Sequence, residues 1–234
     1  MKNQELSFSA IQAIRDNRIL RNIYVWMTGG LALTGIIAIG VSNNNGILRI
    51  LTNNPIIFFG IIILEFILVI FLSTRVMSLS PTTASSIFVL YAILNGLTLS
   101  VIFLAYTSQS IALAFFTAAG TFAGTSLWGF TTKRDLSTIG NYAGMALWGI
   151  IFATLINFFL RNQAIDYLIS LAGVAVFVGL TAYDTQKIKR WTNELGTNIS
   201  EIDYLRISIR GALILYLDFI NLFLFLLRIF GRRK

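Results

Sequence analysis

An all-α membrane protein with seven spanning helices is the fold class that this sequence predicts, and three observations carry it. Of 234 residues, 56% are hydrophobic and only 12% charged, and the mean hydropathy is +0.77, whereas a soluble domain carries about 25% charged residues. The apolar residues are gathered into runs of bilayer length, since a hydrocarbon core of about 30 Å needs about 17–25 helical residues. The runs are too long for barrel strands and lack their in-and-out alternation, so the backbone must satisfy its own polar groups within helices.

Taken in order, the runs are Ile23–Val41, Ile56–Leu72, Ala84–Ala105, Ile111–Phe130, Ile139–Leu160, Ile165–Tyr183 and Ile207–Leu227. Residues 1–22 are polar, hold acids as well as bases, and lack a short apolar core followed by a small-residue cleavage site; they read as a cytoplasmic N-terminal segment with no cleaved signal peptide. Residues 23–230 then form one membrane domain, followed by a basic tail, 231–234. Gly29-Gly30, Gly120-x-x-x-Gly124 and Gly140-x-x-x-Gly144 are read as packing positions where helices approach closely. The polar connection from Asp184 to Arg206 is helix-like at its start, has Gly196 as a breaker and contains Glu194, Glu201 and Asp203; it is expected to be a cytoplasmic loop.

The formal charge is +8, but the basic residues lie between apolar runs, where they set topology, so no nucleic-acid role is expected and the lipid bilayer is the first partner. Lys2, Arg15, Arg18 and Arg21 precede the first run. Arg75, Lys133, Arg134, Lys187, Lys189, Arg190, Arg206 and Arg210 fall on the same side, against Arg49 and Arg161 on the other. The N-terminus is therefore expected in the cytoplasm. Arg228, Arg232, Arg233 and Lys234 do not follow that pattern if seven full spans are crossed, so a re-entrant last segment is the alternative. Cysteine and histidine are both absent, which excludes disulfides and thiol chemistry and leaves any proton sensing near neutral pH to carboxylates.

Most acids fall in tails and connections or at a segment edge. Three do not: Glu65 in IIILEFILVI, Asp184 in GLTAYDTQKIK and Asp218 in LYLDFINLFLFLLRIFG. An ionised carboxylate in hydrocarbon costs about 2.5–3.5 kcal/mol on the lenient insertion scales, so such acids are functional candidates. Asp218 lies about 16 Å along the last run from Ile207, and Asp184 at the cytoplasmic end of its helix. The two can meet if the sixth segment continues to about Arg190. A close carboxylate pair in a poorly hydrated site shares one proton and titrates as a unit; deprotonated, it offers the hard oxygen ligands that Ca²⁺ prefers, here as a transient ligand set. Arg75, at the end of the second run, is the expected counter-ion and latch. The bland readings are an interfacial Asp184 beside Lys187 at i+3, a structural hydrogen-bonded Asp218, and a Glu65 held by Asn95 or Asn157. Asn221, three residues after Asp218, shares its face and is expected to partner it; Phe219, Phe223, Phe225 and Phe230 are expected as apolar packing surface.

The run from Leu215 to Gly231, together with Tyr183-Asp184 followed by Gln186 and Lys187, resembles the Bax inhibitor-1 family of multipass membrane proteins, and the seven apolar segments extend the resemblance over most of the chain. The resemblance implies seven helices with the last enclosed by the others, and a pH-sensitive calcium leak with calcium as permeant ion and no resident cofactor. It implies that Asp184 and Asp218 are the proton-sensing pair, that Arg75 latches them, and that Glu65 lines the ion path. This sequence has one basic residue in LSTRVMSLSP where family members carry a cluster. The short chain and brief polar N-terminus are similar to bacterial members, which implies the plasma membrane; in a eukaryote an organelle membrane would take its place.

Two other function classes fit parts of the pattern. One is a non-conducting partner that modulates another membrane protein, such as a quality-control protease. The other is an intramembrane aspartyl protease, which also sets one aspartate on each of two late helices. Such proteases carry Gly-x-Gly-Asp and a later Pro-Ala-Leu, whereas Leu-Tyr-Leu precedes Asp218 and both prolines, Pro55 and Pro81, lie far upstream. The chain is accordingly expected not to be an enzyme.

Overall fold

The computed structural model describes the backbone of residues 2–194, 200–232 and 234, and the side chains of 18–193, 200–232 and 234. Gly196, the side chains of Lys2, Glu5, Arg15, Asp16 and Glu194, and Arg233 lie outside the described residues. Helices α1 (Lys2–Ser42), α2 (Asn45–Asn53), α3 (Pro55–Arg75), α4 (Pro81–Leu99), α5 (Ile102–Ala105), α6 (Ser108–Thr131), α7 (Ser137–Leu160), α8 (Gln163–Glu194) and α9 (Glu201–Phe230) follow in order. Among the described residues, seven helical stretches are long and apolar enough to cross a membrane, and each contains one of the runs read from the sequence.

Local chemistry sets the helix ends. Asn44 accepts from the N–H groups of Gly46 and Ile47 at 3.0 and 3.2 Å and so starts α2. Pro55 and Pro81 occupy the first turns of α3 and α4, where the missing N–H costs no helical bond. Ser80, Thr107 and Ser200 cap α4, α6 and α9 through their hydroxyls. Arg161 ends α7 in a left-handed conformation, φ 52°, and the Asn162 side chain caps α8.

Residues 2–22 are the first turns of α1. Two differences from the sequence reading bear on function. The third run breaks at Ser100, whose buried hydroxyl donates to Leu97 O at 2.6 Å, so α5 is a separate short turn. The larger difference is α8, which does not stop at Tyr183 but continues to Glu194, so that the expected loop from Asp184 to Arg206 is mostly helix. The reason is packing: Thr181, Thr185, Ile188 and Thr192 recur at helical spacing and all are buried. The last segment does not re-enter. α9 is unbroken over 30 residues, and beyond it Arg232 O accepts from Thr107 N while Arg232 N donates to Ser110 Oγ at 3.0 Å, tying the tail to the start of α6.

The chain divides into two compact units, residues 1–105 with 189–216 and residues 106–188 with 217–234. In the first, Tyr216 is fully buried among Phe88, Tyr91 and Thr34, and Tyr204 donates to Arg18 O at 3.0 Å, joining α9 to α1. In the second, Phe219 packs edge-on to Phe115 and Phe122, with ring centroids 5.5 and 5.6 Å apart, and Phe225 lies against Phe177. Phe219, Phe223 and Phe225 are thus packing surface as expected, while Phe230 is exposed. The α9 span is the most buried of the seven.

Of the glycines expected to pack, Gly30 and Gly140 do, against Phe88 and Tyr183, whereas Gly29, Gly120, Gly124 and Gly144 face open space. Gly129, not singled out in the sequence, lies against the backbone of Ala182. Gly129 of α6 and Gly140 of α7 therefore let two helices close on α8 at the residues just before Asp184. A side chain at either position overfills the contact. Gly129→Ala and Gly140→Ala are each expected to destabilise the protein by about 1–3 kcal/mol in detergent-solubilised thermal unfolding, while Gly144→Ala leaves the transition where it is.

Candidate functional site

Asp184 sits inside α8, and its surroundings fix that turn firmly. The Gln186 amide donates to Arg134 O at 2.7 Å and accepts from Leu136 N at 2.9 Å, so one side chain satisfies both backbone groups of the α6–α7 connection. Thr185 donates to Ser126 Oγ at 3.3 Å. Asp184 Oδ1 lies 3.7 Å from Lys187 Nζ, and that ammonium also stands 5.4 Å from the centre of the Tyr183 ring. The Asp184 side chain is only 14% exposed, so the i+3 lysine of the bland reading is present but the acid is not a solvated interfacial one.

Asp218 is 5% exposed, and its Oδ2 is buried with no hydrogen-bond partner among the described residues. Asp184 and Lys187 are the charged groups whose fields it feels. The structure therefore brings the two sequence-predicted aspartates into electrostatic reach, both within the second unit. A buried carboxyl oxygen without a donor is a costly arrangement unless a proton or a water occupies it. Such a pair can take up or release one proton, and when ionised it presents several oxygen lone pairs to a cation. Asn221 is not its partner on that oxygen: the Asn221 amide donates to Leu217 O at 2.8 Å, back into its own helix.

Glu65 lies in the middle of α3 in the first unit and is half-buried. Thr98 donates to its Oε1 at 3.0 Å and Asn95 Nδ2 to its Oε2 at 3.4 Å. Asn95 is thus the amide on Glu65, whereas Asn157 accepts from Asn162 N at 3.1 Å and closes the α7–α8 turn. Beyond Asn95 the polar chain continues: Tyr216 OH is 3.1 Å from Asn95 Oδ1 and 2.7 Å from Thr34 Oγ1, itself 2.8 Å from Ala92 O. Arg75 ends α3 and is exposed, with its guanidinium free of hydrogen bonds and ion pairs among the described residues. The cation paired with Asp184 in this structure is Lys187.

Sequence reasoning missed Tyr216, Thr34 and the clamp made by Gln186. Lys187 was legible, because i+3 residues share a helix face. A tyrosine and a threonine on separate apolar helices give no local signal that they meet.

A multipass helical membrane protein with a buried carboxylate pair between its last two long helices is the class that this geometry defines. The family model for the inhibitor of apoptosis-promoting Bax1 matches residues 16–234, and the chain belongs to the Bax inhibitor-1 family. It is similar to the inner membrane protein YbhL of Escherichia coli K12, 48% identical over 215 residues that cover 92% of each chain. An uncharacterised protein of Borreliella burgdorferi is 43% identical over 218 residues, 93% of each chain. One from Deinococcus radiodurans is 41% identical over 210 residues, 90% of this chain and 88% of the other.

Gln186→Leu strands the Leu136 N–H and the Arg134 carbonyl beside an apolar side chain. It is expected to cost about 1–3 kcal/mol of stability in chemical denaturation from detergent, with the exposed Gln163→Leu as the neutral comparison.

Proposed function

We propose that the protein is a proton-gated calcium leak of a bacterial plasma membrane, with Asp184 and Asp218 as the carboxylate pair that shares the gating proton. The observation that carries this reading is the Asp218 Oδ2 atom, buried, without a hydrogen-bond partner among the described residues, and within the field of a second carboxylate on the preceding long helix. With one proton on the pair the site carries a single negative charge, which Lys187 balances, and has none left for calcium; without it, two carboxylates hold Lys187 and attract calcium. Glu65, in the middle of α3, lines the cation route. The N-terminus is cytoplasmic in this reading, from the distribution of Lys and Arg. Membership of the Bax inhibitor-1 family and similarity to a protein named for the inner membrane support the location.

Calcium entry into dye-loaded proteoliposomes, followed against pH, tests the reading. Asp218→Asn is expected to flatten the pH response. In a cycle of Asp184→Asn, Asp218→Asn and the double variant, the pair is expected to show coupling of about 0.5–3 kcal/mol, as contacting residues do. Strict additivity would mean two independent acids, and absence of flux in every vesicle would favour a non-conducting partner of another membrane protein.

Arg75 is proposed as the latch of the closed state. Arg75→Ala is expected to raise calcium leak at neutral pH, whereas a wild-type leak in that variant assigns the holding of the pair to Lys187 alone. Glu65→Gln is expected to lower flux with little change in the midpoint of the pH response, because it removes charge from the route and leaves the switch intact.

A further inference from the structure

The hydrogen-bond chain that ends on Glu65 has more contacts than protons. Thr34 and Tyr216 each carry one hydroxyl proton, yet their oxygens make three contacts: Thr34 with Ala92 O at 2.8 Å, Thr34 with Tyr216 at 2.7 Å, and Tyr216 with Asn95 Oδ1 at 3.1 Å. Ala92 O and Asn95 Oδ1 are acceptors only. With the amide oxygen of Asn95 turned to Tyr216, one of the three contacts therefore lacks a proton.

Rotating the Asn95 amide by half a turn removes the deficit with no other heavy atom displaced, because its oxygen and nitrogen exchange places in a nearly symmetric group. Nδ2 then donates to Tyr216, Tyr216 to Thr34, and Thr34 to Ala92 O. The amide oxygen now faces Glu65 Oε2, and that contact is favourable only if the carboxyl carries a proton. In the opposite arrangement, Nδ2 donates to an ionised Glu65, Tyr216 to Asn95, and Thr34 to Tyr216. Thr98 has the same double option: its hydroxyl is 3.0 Å from Glu65 Oε1 and 3.0 Å from the backbone Asn95 O. Every donor that serves an ionised Glu65 thus has a second acceptor already in reach.

We infer that Glu65 is a proton-binding site, and that Asn95, Tyr216 and Thr34 form a hydrogen-bond wire whose direction reverses as the Glu65 proton arrives or leaves. One O–H bond forms on Glu65 when the proton is taken up. Nothing else ionises: the amide turns, and the hydroxyls of Tyr216, Thr34 and Thr98 rotate while keeping their own protons. Asn95 and Thr98 of α4 bond Glu65, and the titratable groups that share its field are Tyr91 of α4 and Tyr216 of α9. Tyr216 is 0% exposed, Thr34 2% and Asn95 7%, so the protein supplies the reorientation instead of bulk water. The inference deepens the reading of Glu65 as a residue of the cation route and gives that position a second ligand, the proton.

The test is infrared difference spectroscopy of the full chain in lipid nanodiscs, stepped from alkaline to acid buffer in H₂O and in D₂O. The wild type is expected to gain a protonated-carboxyl C=O band that is lost in Glu65→Gln, accompanied by a tyrosine C–O component. That component is expected to vanish in Tyr216→Phe and to persist in Tyr91→Phe. Thr34→Val, which keeps the phenol but removes its partner, should retain the carboxyl band and shift the tyrosine component. A spectrum in which no acid band depends on Glu65 overturns the proton site, and a tyrosine component indifferent to Tyr216→Phe and Thr34→Val overturns the wire. The readout needs no ion flow. A chain that passes no calcium but shows these bands leaves this inference standing and removes only the calcium reading.

Discussion

Within an apolar zone, a polar side chain has few ways to be satisfied: another side chain, a backbone carbonyl of its own helix, a trapped water or a proton. Many threonines among the described residues take the backbone route. Thr74, Thr117, Thr131, Thr154 and Thr181 all donate to a carbonyl four residues earlier. Carboxylates lack that option, because an ionised carboxylate only accepts and the helix offers no free N–H in its interior. Glu65, Asp184 and Asp218 therefore depend on other side chains, a water or a proton to be satisfied.

The three acids meet it differently. Glu65 is bonded by two neutral donors of α4. Asp184 draws on a cation one turn along its own helix. Asp218 has one oxygen without a hydrogen-bond partner among the described residues and feels the field of a second acid. A buried carboxyl oxygen of this kind is costly unless a proton or a water completes it. The clamp by Gln186 and the close approach of Gly129 and Gly140 fix the backbone around Asp184.

α9 carries two of the polar groups that matter, and they are two residues apart. At about 100° per residue, Tyr216 and Asp218 lie about 200° apart around the helix axis, so they face nearly opposite ways. Tyr216 joins the Glu65 chain in the first unit, while Asp218 belongs with Asp184 in the second. The helix that carries both is also the most buried span among the described residues.

The sequence by itself determined the number of spanning segments and their order. Both follow from local composition: a run of apolar residues of bilayer length has no other stable form in lipid. It also identified Glu65, Asp184 and Asp218, since a carboxylate in such a run is costly wherever it ends up, and Lys187, since i+3 neighbours meet on any helix. The motifs in α8 and α9 carried the family. Only the tertiary structure decided that α8 continues past Asp184, because Thr185, Ile188 and Thr192 are mostly polar in composition and become helical core by being buried. Only it could join Tyr216 to Asn95 and Thr34, or turn the Asn221 amide back to Leu217 and away from the orphaned Asp218 oxygen. The joins of Tyr216 depend on which helix faces are brought together, and contacts between residues 121 and 182 positions apart leave no periodicity in the chain from which they could be read.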